Sequence, residues 1–393
     1  MAALGAVVGF GEVPTGRFPE RSALEQAVLS AREAIQMSGL DKKEIDLVLP
    51  CAALYNREFT VSLSVGRLVE ELGLLNTAAA NVQVFAGGSS GTVMLQIASS
   101  MISAGLARNV LVVHSDKLGT GVDKTEGIDL FATVGMSPEW EIPFGVNFSA
   151  IAGLITQRYM YETSTTPEQV AAVCVSLRKW AQLNPHAMYR GDLSVEDVLA
   201  SKMLATPVHA LESNMLADGG GAYVVTSPER ARQLTERPVY LLGAAGRHTH
   251  YTLAAEADMG RFLYRDAARE AFAMAGLTPK DIRLAQIYDS YPVFVLMALE
   301  EIGMLERGTA GQFFLDGHAW PGGKLPVTTN GGMLSQGHTG AGGGFAILLE
   351  TVRQLMGRAG ERQVDATFAV ETATGGTYMD THVAVLGTEV PRP

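Results

Sequence analysis

AREAIQMSGLDKKEIDL, residues 31–47, returns as AREAFAMAGLTPKDIRL at residues 268–284, and ten of the seventeen positions are identical. In each copy apolar residues recur at helical spacing, Gly-Leu ends the helix, a polar turn follows, and Ile-x-Leu begins a strand. Two amphipathic helices can resemble each other by chance, but here the turn and the strand match as well. The repeat therefore predicts a chain built from two similar halves, which we place at residues 1–235 and 236–393.

Apolar runs rich in Val and Leu alternate with helical patterns in both halves, as in NVLVVHS (109–115), GAYVVTS (221–227) and THVAVLG (381–387). Continuous apolar strands of this kind are typical of sheets that helices cover on both faces. The sequence therefore predicts an α/β fold, with an insert of helices and loops at about residues 119–208.

Each half also contains a Gly-rich loop that leads directly into a helix, within residues 85–105 and 330–357. A helix N-terminus presents free N–H groups and the positive end of the helix dipole, which favour a developing negative charge. Because sites in α/β folds lie where the loops at strand ends converge, we expect both loops to face one cleft. The tip of the first loop is Phe85, followed by Ala86 and Gly87, so no side chain there can do polar chemistry.

Composition and motif spacing exclude several classes of function. The net charge of −11 and the absence of any Lys/Arg run longer than a pair argue against a nucleic-acid surface. Cys51 and Cys174 are the two cysteines of the chain, which favours a reducing compartment. The chain lacks CxxC, HExxH, a dinucleotide fingerprint and a Walker A loop. With no signal-peptide pattern and no apolar run near ~18 residues, we expect a cytoplasmic protein without a metal site.

Three stretches hold residues suited to chemistry. His338 lies inside SQGHTGAGGG, where glycines allow close approach of the backbone to a ligand; a histidine with a purely structural role is the alternative. Polar side chains follow an apolar strand in IYDSY, and they are either site residues or buried packing residues with satisfied hydroxyls: Tyr288, Asp289, Ser290 and Tyr291. In ETATGGTYMD, the backbone N–H groups of Gly375 and Gly376 could form an oxyanion hole.

The repeat, the loop near residue 85, IYDSY, the NGG…GH…G loop and the TGG strand together resemble the thiolase superfamily, in its sterol-carrier-protein-x type branch. The resemblance covers nearly the whole chain, including EDVLASKML (196–204) and LADGGGAYVV (216–225). It implies a duplicated five-layer α/β/α/β/α fold, a homodimer, and activity on an acyl-CoA in which CoA is part of the substrate, with no permanently bound cofactor. Because other members act with a small zinc-ribbon/OB-fold (DUF35-type) protein, the resemblance implies such a partner here.

The family's sulfur positions are both replaced in this chain. Phe85 stands where a thiolase has its nucleophilic Cys, and ATG (373–375) stands where it has the second Cys in a CxG motif. His338 matches the His of the GHP-type motif, with Thr339 in place of the proline, and Tyr288 stands at the NEAF or HDCF position that helps to build the oxyanion hole. Thiolysis requires an acyl-enzyme on a thiolate, so the resemblance points to the branch's aldolases, which lack the Cys and use tyrosines.

We therefore expect a lyase that cleaves a carbon–carbon bond of a steroid side-chain or aryl-acyl-CoA by retro-aldol chemistry and releases a short acyl-CoA. His338 or Tyr288 takes the hydroxyl proton, with His338 better suited because the ordinary pKa of histidine is about 6.5. The other side chain returns a proton to carbon, and Phe85 gives an apolar wall.

Two alternatives remain open at this point. One is acyl transfer or a Claisen or deacylation reaction, with Cys51, Ser89 or Ser290 as nucleophile or with none. Cys51 follows a proline at a strand end and could line a cleft, whereas the apolar neighbours of Cys174 indicate a core residue. The other alternative is a non-catalytic thiolase-like subunit of a complex.

Overall fold

The computed structural model describes residues 3–51, 64–74, 83–123, 125, 135–250, 252–262, 264–376, 378 and 380–391. In chain order the α-helices α1 to α12 are Ala23–Ser38, Ser64–Leu72, Ser90–Ser103, Phe148–Thr163, Pro167–Gln182, Val195–Ala200, Pro228–Leu234, Tyr264–Ala275, Pro292–Glu301, Ala310–Leu315, Gly332–Ser335 and Gly342–Leu355. The strands β1 to β10 are Gly5–Glu12, Leu47–Pro50, Asn109–Lys117, Met203–Ala205, Val208–His209, Asp218–Thr226, Val239–His248, Leu284–Gln286, Phe368–Gly375 and Asp380–Gly387. Short 3-10 helices span Lys42–Glu44, Ile142–Phe144, Ala210–Glu212, Leu253–Ala255, Pro279–Asp281 and Gly360–Arg362.

Strand order shows the duplication directly. The main sheet has the order β2-β3-β6-β1-β7-β10-β9-β8. Outward from the central β1–β7 pair, the first half runs β1, β6, β3, β2 and the second half repeats this as β7, β10, β9, β8. In each half the outermost pair is parallel and the other pairs are antiparallel. The predicted boundary at 235/236 lies between α7 and β7, and the exact division stays a prediction.

Helices cover both faces of the sheet. Helix α1 packs on β1, β3 and β6, and α8 packs on β7 and β10, while α3 and α12 pack against each other and against strands of both halves. Helix α12 contacts both β3 and β8, which lie six positions apart in the strand order, a distance of about 29 Å in a flat sheet. A helix of 14 residues is only about 21 Å long. The sheet must therefore fold around the two central helices, which gives the predicted order of layers.

The repeated helix packs on its strand in the same way in both halves. In the first half, a Cβ on Gly9 of β1 would overlap the carbonyl oxygen of Ala34 in α1. In the second half, a Cβ on Gly243 of β7 would overlap the carbonyl oxygen of Ala271 in α8. Ala34 and Ala271 occupy the same position of the sequence repeat, so the conserved spacing encodes a close helix–strand contact. Among the described residues, no helix combines the length and the hydropathy that a membrane crossing needs.

Candidate active site

A cavity of about 720 Å³ lies where the loops of the two halves meet. Both Gly-rich loops, IYDSY and the turn between β9 and β10 contribute to its wall. The predicted site residues that line it are Phe85, Gly87, Tyr288, Ser290, Tyr291, His338, Gly375 and Gly376. The remaining wall comes largely from the insert and the segment after it, through Leu118, Gly119, Val122, Asp123, Asn147, Phe148, Ser149, Leu204 and 213–216.

Glycine allows the two halves to approach each other this closely. A Cβ on Gly344, in the first turn of α12, would overlap the carbonyl oxygen of Gly88, just before α3. A Cβ on Gly87 would lie 3.1 Å from the Cα of Gly375 and 3.1 Å from the nitrogen of Gly376. Any larger residue at Gly87 or Gly344 would therefore push the loops apart. The N-termini of α3 and α12 consequently open on the same cavity.

The first loop is held by its own helix. Ser90 Oγ accepts the N–H of Ala86 at 3.0 Å and donates to the carbonyl oxygen of Gly87 at 2.6 Å. Ala86 therefore supports the loop through its backbone. The Phe85 side chain lines the cavity but is 45% exposed, so it forms part of the mouth and does not simply fill the space of a missing nucleophile.

His338 is held in one orientation and one tautomer. Its main chain pairs with the chain before β6, because its N–H donates to the carbonyl oxygen of Met215 at 2.7 Å and its own carbonyl oxygen accepts from Ala217 at 3.0 Å. Its Nδ1 accepts the N–H of Gly340 at 3.1 Å, which leaves the proton of the neutral ring on Nε2. Burial and, to a smaller extent, the neighbouring His114 lower the pKa of His338 to about 4. The ring is therefore neutral at pH 7 and acts as a hydrogen-bond donor through Nε2.

His114 supports the same loop from beneath, a role that the sequence did not suggest. Its Nε2 lies 3.0 Å from the carbonyl oxygen of Thr339, next to His338. Burial lowers the pKa of His114 to about 4, so this ring is also neutral.

Residues 287–291 connect β8 to α9, and Tyr288, Ser290 and Tyr291 of this stretch line the cavity. The Tyr288 N–H donates to Thr372 Oγ1 at 3.2 Å, which fixes the strand end against β9. Burial raises the pKa of Tyr288, and the nearby Asp289 carboxyl raises it further, so the phenol is protonated. Its hydroxyl lies beside the Gly88 backbone, and the residue lines the cavity, where a ligand can reach it.

Asp289 points away from the cavity and holds the following loop. Its Oδ1 accepts the Met333 N–H at 2.9 Å and its Oδ2 accepts the Leu334 N–H at 3.1 Å, so the side chain caps α11. Burial raises the pKa of Asp289 to about 7, although these two hydrogen bonds oppose the rise. The position of Asp289 favours the supporting role predicted for it, because α11 leads directly to His338.

Neither cysteine lies in the cavity wall. Cys51 is buried, and its backbone forms an isolated β-bridge with Val84. Burial raises the pKa of its thiol to about 12. Cys174 is buried within α5, and burial raises the pKa of its thiol well above the ordinary value. Ser89 is fully buried as well. The expectation that Cys51 could line the cleft is wrong, because Cys51 is buried and is not among the residues that line the cavity.

The sequence also missed Tyr378, Phe148 and Ser149, which line the cavity. Tyr378 follows the TGG turn, and its aromatic side chain was the available signal. Phe148 and Ser149 begin α4 inside the insert, where nothing in the local pattern marks a site.

The fold and this cavity define a protein of the thiolase superfamily. Residues 245–388 match the family model described as thiolase C-terminal domain-like. The chain is 30% identical to an acetyl-CoA acetyltransferase of Methanothermobacter thermautotrophicus, over 95% of this chain and 96% of the relative. It is also 30% identical to a steroid side-chain-cleaving aldolase of Thermomonospora curvata, over 98% of both chains. The solved structure of an Ltp2-ChsH2(DUF35) aldolase superposes with a TM-score of 0.84 at 29% identity, covering 98% of this chain and 97% of that one.

The chain therefore belongs to the thiolase superfamily, as a thiolase-like protein related to steroid side-chain-cleaving aldolases. The predicted family and the predicted α/β fold are confirmed. The roles of the individual site residues stay predictions.

Proposed function

We propose that this protein is a lyase that cleaves a carbon–carbon bond of a β-hydroxyacyl-CoA by a Cys-independent retro-aldol reaction. The substrate carries a steroid side chain or an aryl group, and the product is a shorter acyl-CoA. One observation carries the proposal: the cavity brings together His338, Tyr288 and two helix N-termini, while both cysteines of the chain lie outside its wall. This arrangement argues against a covalent acyl-cysteine and supports a site that stabilises a thioester enolate.

The tautomer of His338 favours a donor role over the base role suggested by sequence. Because Nδ1 is occupied by the Gly340 N–H and Nε2 carries the proton, the ring can stabilise the enolate oxygen but cannot readily accept a proton. The positive ends of the helix dipoles at the starts of α3 and α12 strengthen the field at that oxygen. The Gly376 nitrogen, packed against Gly87, remains a candidate for a further donor, as predicted.

Tyr288 can then move both protons of the reaction. In one concerted relay the phenol gives its proton to Cα while its oxygen takes the β-hydroxyl proton, so the oxygen never carries two protons. The Cα–Cβ bond breaks in the same step, and negative charge develops on the thioester oxygen. A ketone or aldehyde and the shortened acyl-CoA result, and the phenol ends neutral, as it began. The raised pKa of Tyr288 suits this cycle, because a protonated phenol is its resting state.

The decisive test incubates the purified protein with a panel of hydroxylated steroid and aryl acyl-CoA esters in the absence of free CoA. We expect mass spectrometry to find a shortened acyl-CoA together with the carbonyl fragment. Tyr288→Phe should reduce turnover by roughly 10²–10⁴, the usual contribution of general acid–base catalysis. Tyr161→Phe is the matched control, because Tyr161 is 82% exposed and lies outside the cavity wall.

Free CoA separates this proposal from acyl transfer, which the acetyltransferase relative keeps as the second candidate. Cleavage that begins only when free CoA is added would show thiolysis and refute the lyase. Absence of cleavage under both conditions would favour the third reading, a non-catalytic subunit.

The predicted partners belong to the same proposal. We infer a cytoplasmic homodimer that binds a DUF35-type protein, since the aldolase of similar structure is named as a complex with such a protein. Light scattering of the purified chain, with and without a co-expressed DUF35-type protein, tests both points. A monomer that gains neither mass nor activity on co-expression would contradict them.

A further inference from the structure

Tyr378 has an unusual backbone conformation for its size. Its φ is +72°, in the left-handed region, where a bulky side chain is rarely found. It follows the TGG turn between β9 and β10, and its ring lines the cavity while only 4% of the residue is exposed. Strained residues of this kind persist when the surrounding structure holds them, and they concentrate at ligand sites.

Two aromatic rings from separate parts of the fold hold Tyr378 in this position. Phe294 of α9 stacks on it with 3.9 Å between ring centroids and 29° between planes. Phe148, at the start of α4 in the insert, meets it edge-on at 5.9 Å and 86°. The ring is thus clamped between the second half and the insert, which fixes where its hydroxyl lies.

The hydroxyl of Tyr378 belongs to a group of four neutral hydroxyls in the cavity wall, which we call the hydroxyl cluster: Ser149, Ser290, Tyr291 and Tyr378. Tyr291 and Ser149 share a hydrogen bond of 3.0 Å. Tyr378 interacts with Ser290, whose Oγ has no hydrogen bond of normal geometry to a described residue, so this interaction is loose. Burial raises the pKa of both tyrosines.

These neutral groups suit an uncharged oxygen, which can accept or donate a hydrogen bond. A carboxylate or an ammonium group in the same place would meet no opposite charge from the cluster. Tyr288 and Tyr378 line the same cavity, and Tyr288 is close enough to raise the pKa of Tyr378. A substrate oxygen bound between the two phenols would therefore contact both.

We propose that Tyr378 binds the β-oxygen of the substrate and makes the site selective for β-hydroxyacyl-CoA over the unhydroxylated acyl-CoA. This inference rests on the proposed function for the identity of the oxygen. The loose contact with Ser290 allows the Tyr378 hydroxyl to turn toward the ligand, while the clamp of Phe148 and Phe294 keeps the ring in place. Tyr378 is thereby a binding residue, and Tyr288 keeps the proton transfers.

Binding without turnover tests this inference separately from the lyase proposal. In the Tyr288→Phe background, calorimetry compares 3-hydroxy-3-phenylpropanoyl-CoA with 3-phenylpropanoyl-CoA. We expect the hydroxylated thioester to bind roughly 2- to 12-fold more tightly, the range of one neutral hydrogen bond. Adding Tyr378→Phe should abolish this preference, leave the affinity for 3-phenylpropanoyl-CoA unchanged and leave the thermal midpoint unchanged, because the ring and its packing remain.

The possible results of this experiment distinguish the role of Tyr378 from the lyase proposal. Equal affinities for the two thioesters in the Tyr288→Phe protein, or an unchanged preference after Tyr378→Phe, would overturn the inference. A preference that depends on Tyr378 in a protein that cleaves no ester would keep the inference and remove the lyase. Tyr161→Phe again serves as the control, and it should alter neither affinity.

Discussion

The role of His338 can be decided by replacing it with glutamine. Gln keeps an N–H donor at about the distance of Nε2 from the backbone but cannot accept a proton as a general base. Loss of one donor to an oxyanion costs roughly 10²–10³ in kcat, so we expect His338→Ala to lose that much. His338→Gln should recover most of it, because its amide replaces the donor. If His338 were the base, both variants would be equally inactive.

The pH profile provides an independent measurement. With a pKa of about 4, His338 is protonated in roughly one molecule in a thousand at pH 7. Tyr288 is protonated throughout, because its pKa is raised. The rate of cleavage should therefore be flat from about pH 6 to pH 9 and should fall toward pH 4, as the ring gains a proton at Nδ1 and loses the Gly340 bond.

The control for these assays is His248→Gln, because His248 is exposed at the end of β7. Steady-state rates with a cleaved ester, measured at fixed ionic strength, give the profile. An acid limb near pH 6.5 would mean that His338 titrates as an ordinary base. A tenfold rise per pH unit would mean that a phenolate is the active form. The first result would refute the donor role of His338, and the second would refute the protonated resting state of Tyr288.

Three further predictions test the site and its support. Cys51→Ala should keep wild-type turnover, measured with and without thiol-alkylating reagents, because the thiol is buried with a pKa of about 12; a large loss would reinstate a nucleophile. Gly344→Ala should destabilise the fold by at least about 1–3 kcal/mol in urea unfolding, because its Cβ would overlap the Gly88 carbonyl oxygen; an unchanged midpoint would disprove this contact. Burial raises the pKa of Glu371 to about 8, opposed by the Thr92 hydroxyl, so its contribution to stability is present below the unfolded value near pH 4.5 and is lost as pH rises toward 8. Glu371→Gln should gain stability relative to wild type by up to about 1.4 kcal/mol per pH unit across this window, and a constant difference in urea unfolding would exclude the raised pKa.

The sequence predicts the fold well because the fold is a duplication. Identical residues at 31–47 and 268–284 encode the same packing, because Ala34 and Ala271 each make the same close contact with a glycine of the neighbouring strand. The convergence of the Gly-rich loops could also be predicted, because strand ends on one edge of a sheet meet. The sequence therefore led to a shared cavity for Phe85, Tyr288 and His338.

The chemical roles within the cavity depend on contacts that local sequence does not encode. The proton position on His338 is set by the Gly340 N–H, two residues away, and nothing in SQGHTGAGGG specifies that the loop turns back on the ring. Tyr378 enters the site because Phe294 and Phe148 hold it, and those residues come from distant elements. Sequence patterns show which side chains are polar, whereas tertiary packing decides which of their atoms face a ligand.

The loop that carries Phe85 has a role that does not depend on the Phe85 side chain. Its backbone brings Gly87 and Gly88 against the second half and starts α3 at the cavity, as Gly340 and Ala341 do for α12. Two helix N-termini that open on one cavity give it a fixed positive field, which in the proposed reaction acts on the thioester oxygen as it becomes negative. That field stabilises an enolate whether the carbon–carbon bond is broken by an attacking thiolate or by loss of a hydroxyl proton. Replacing the thiolate with phenylalanine therefore removes one reaction from the site and leaves the requirements of the other intact.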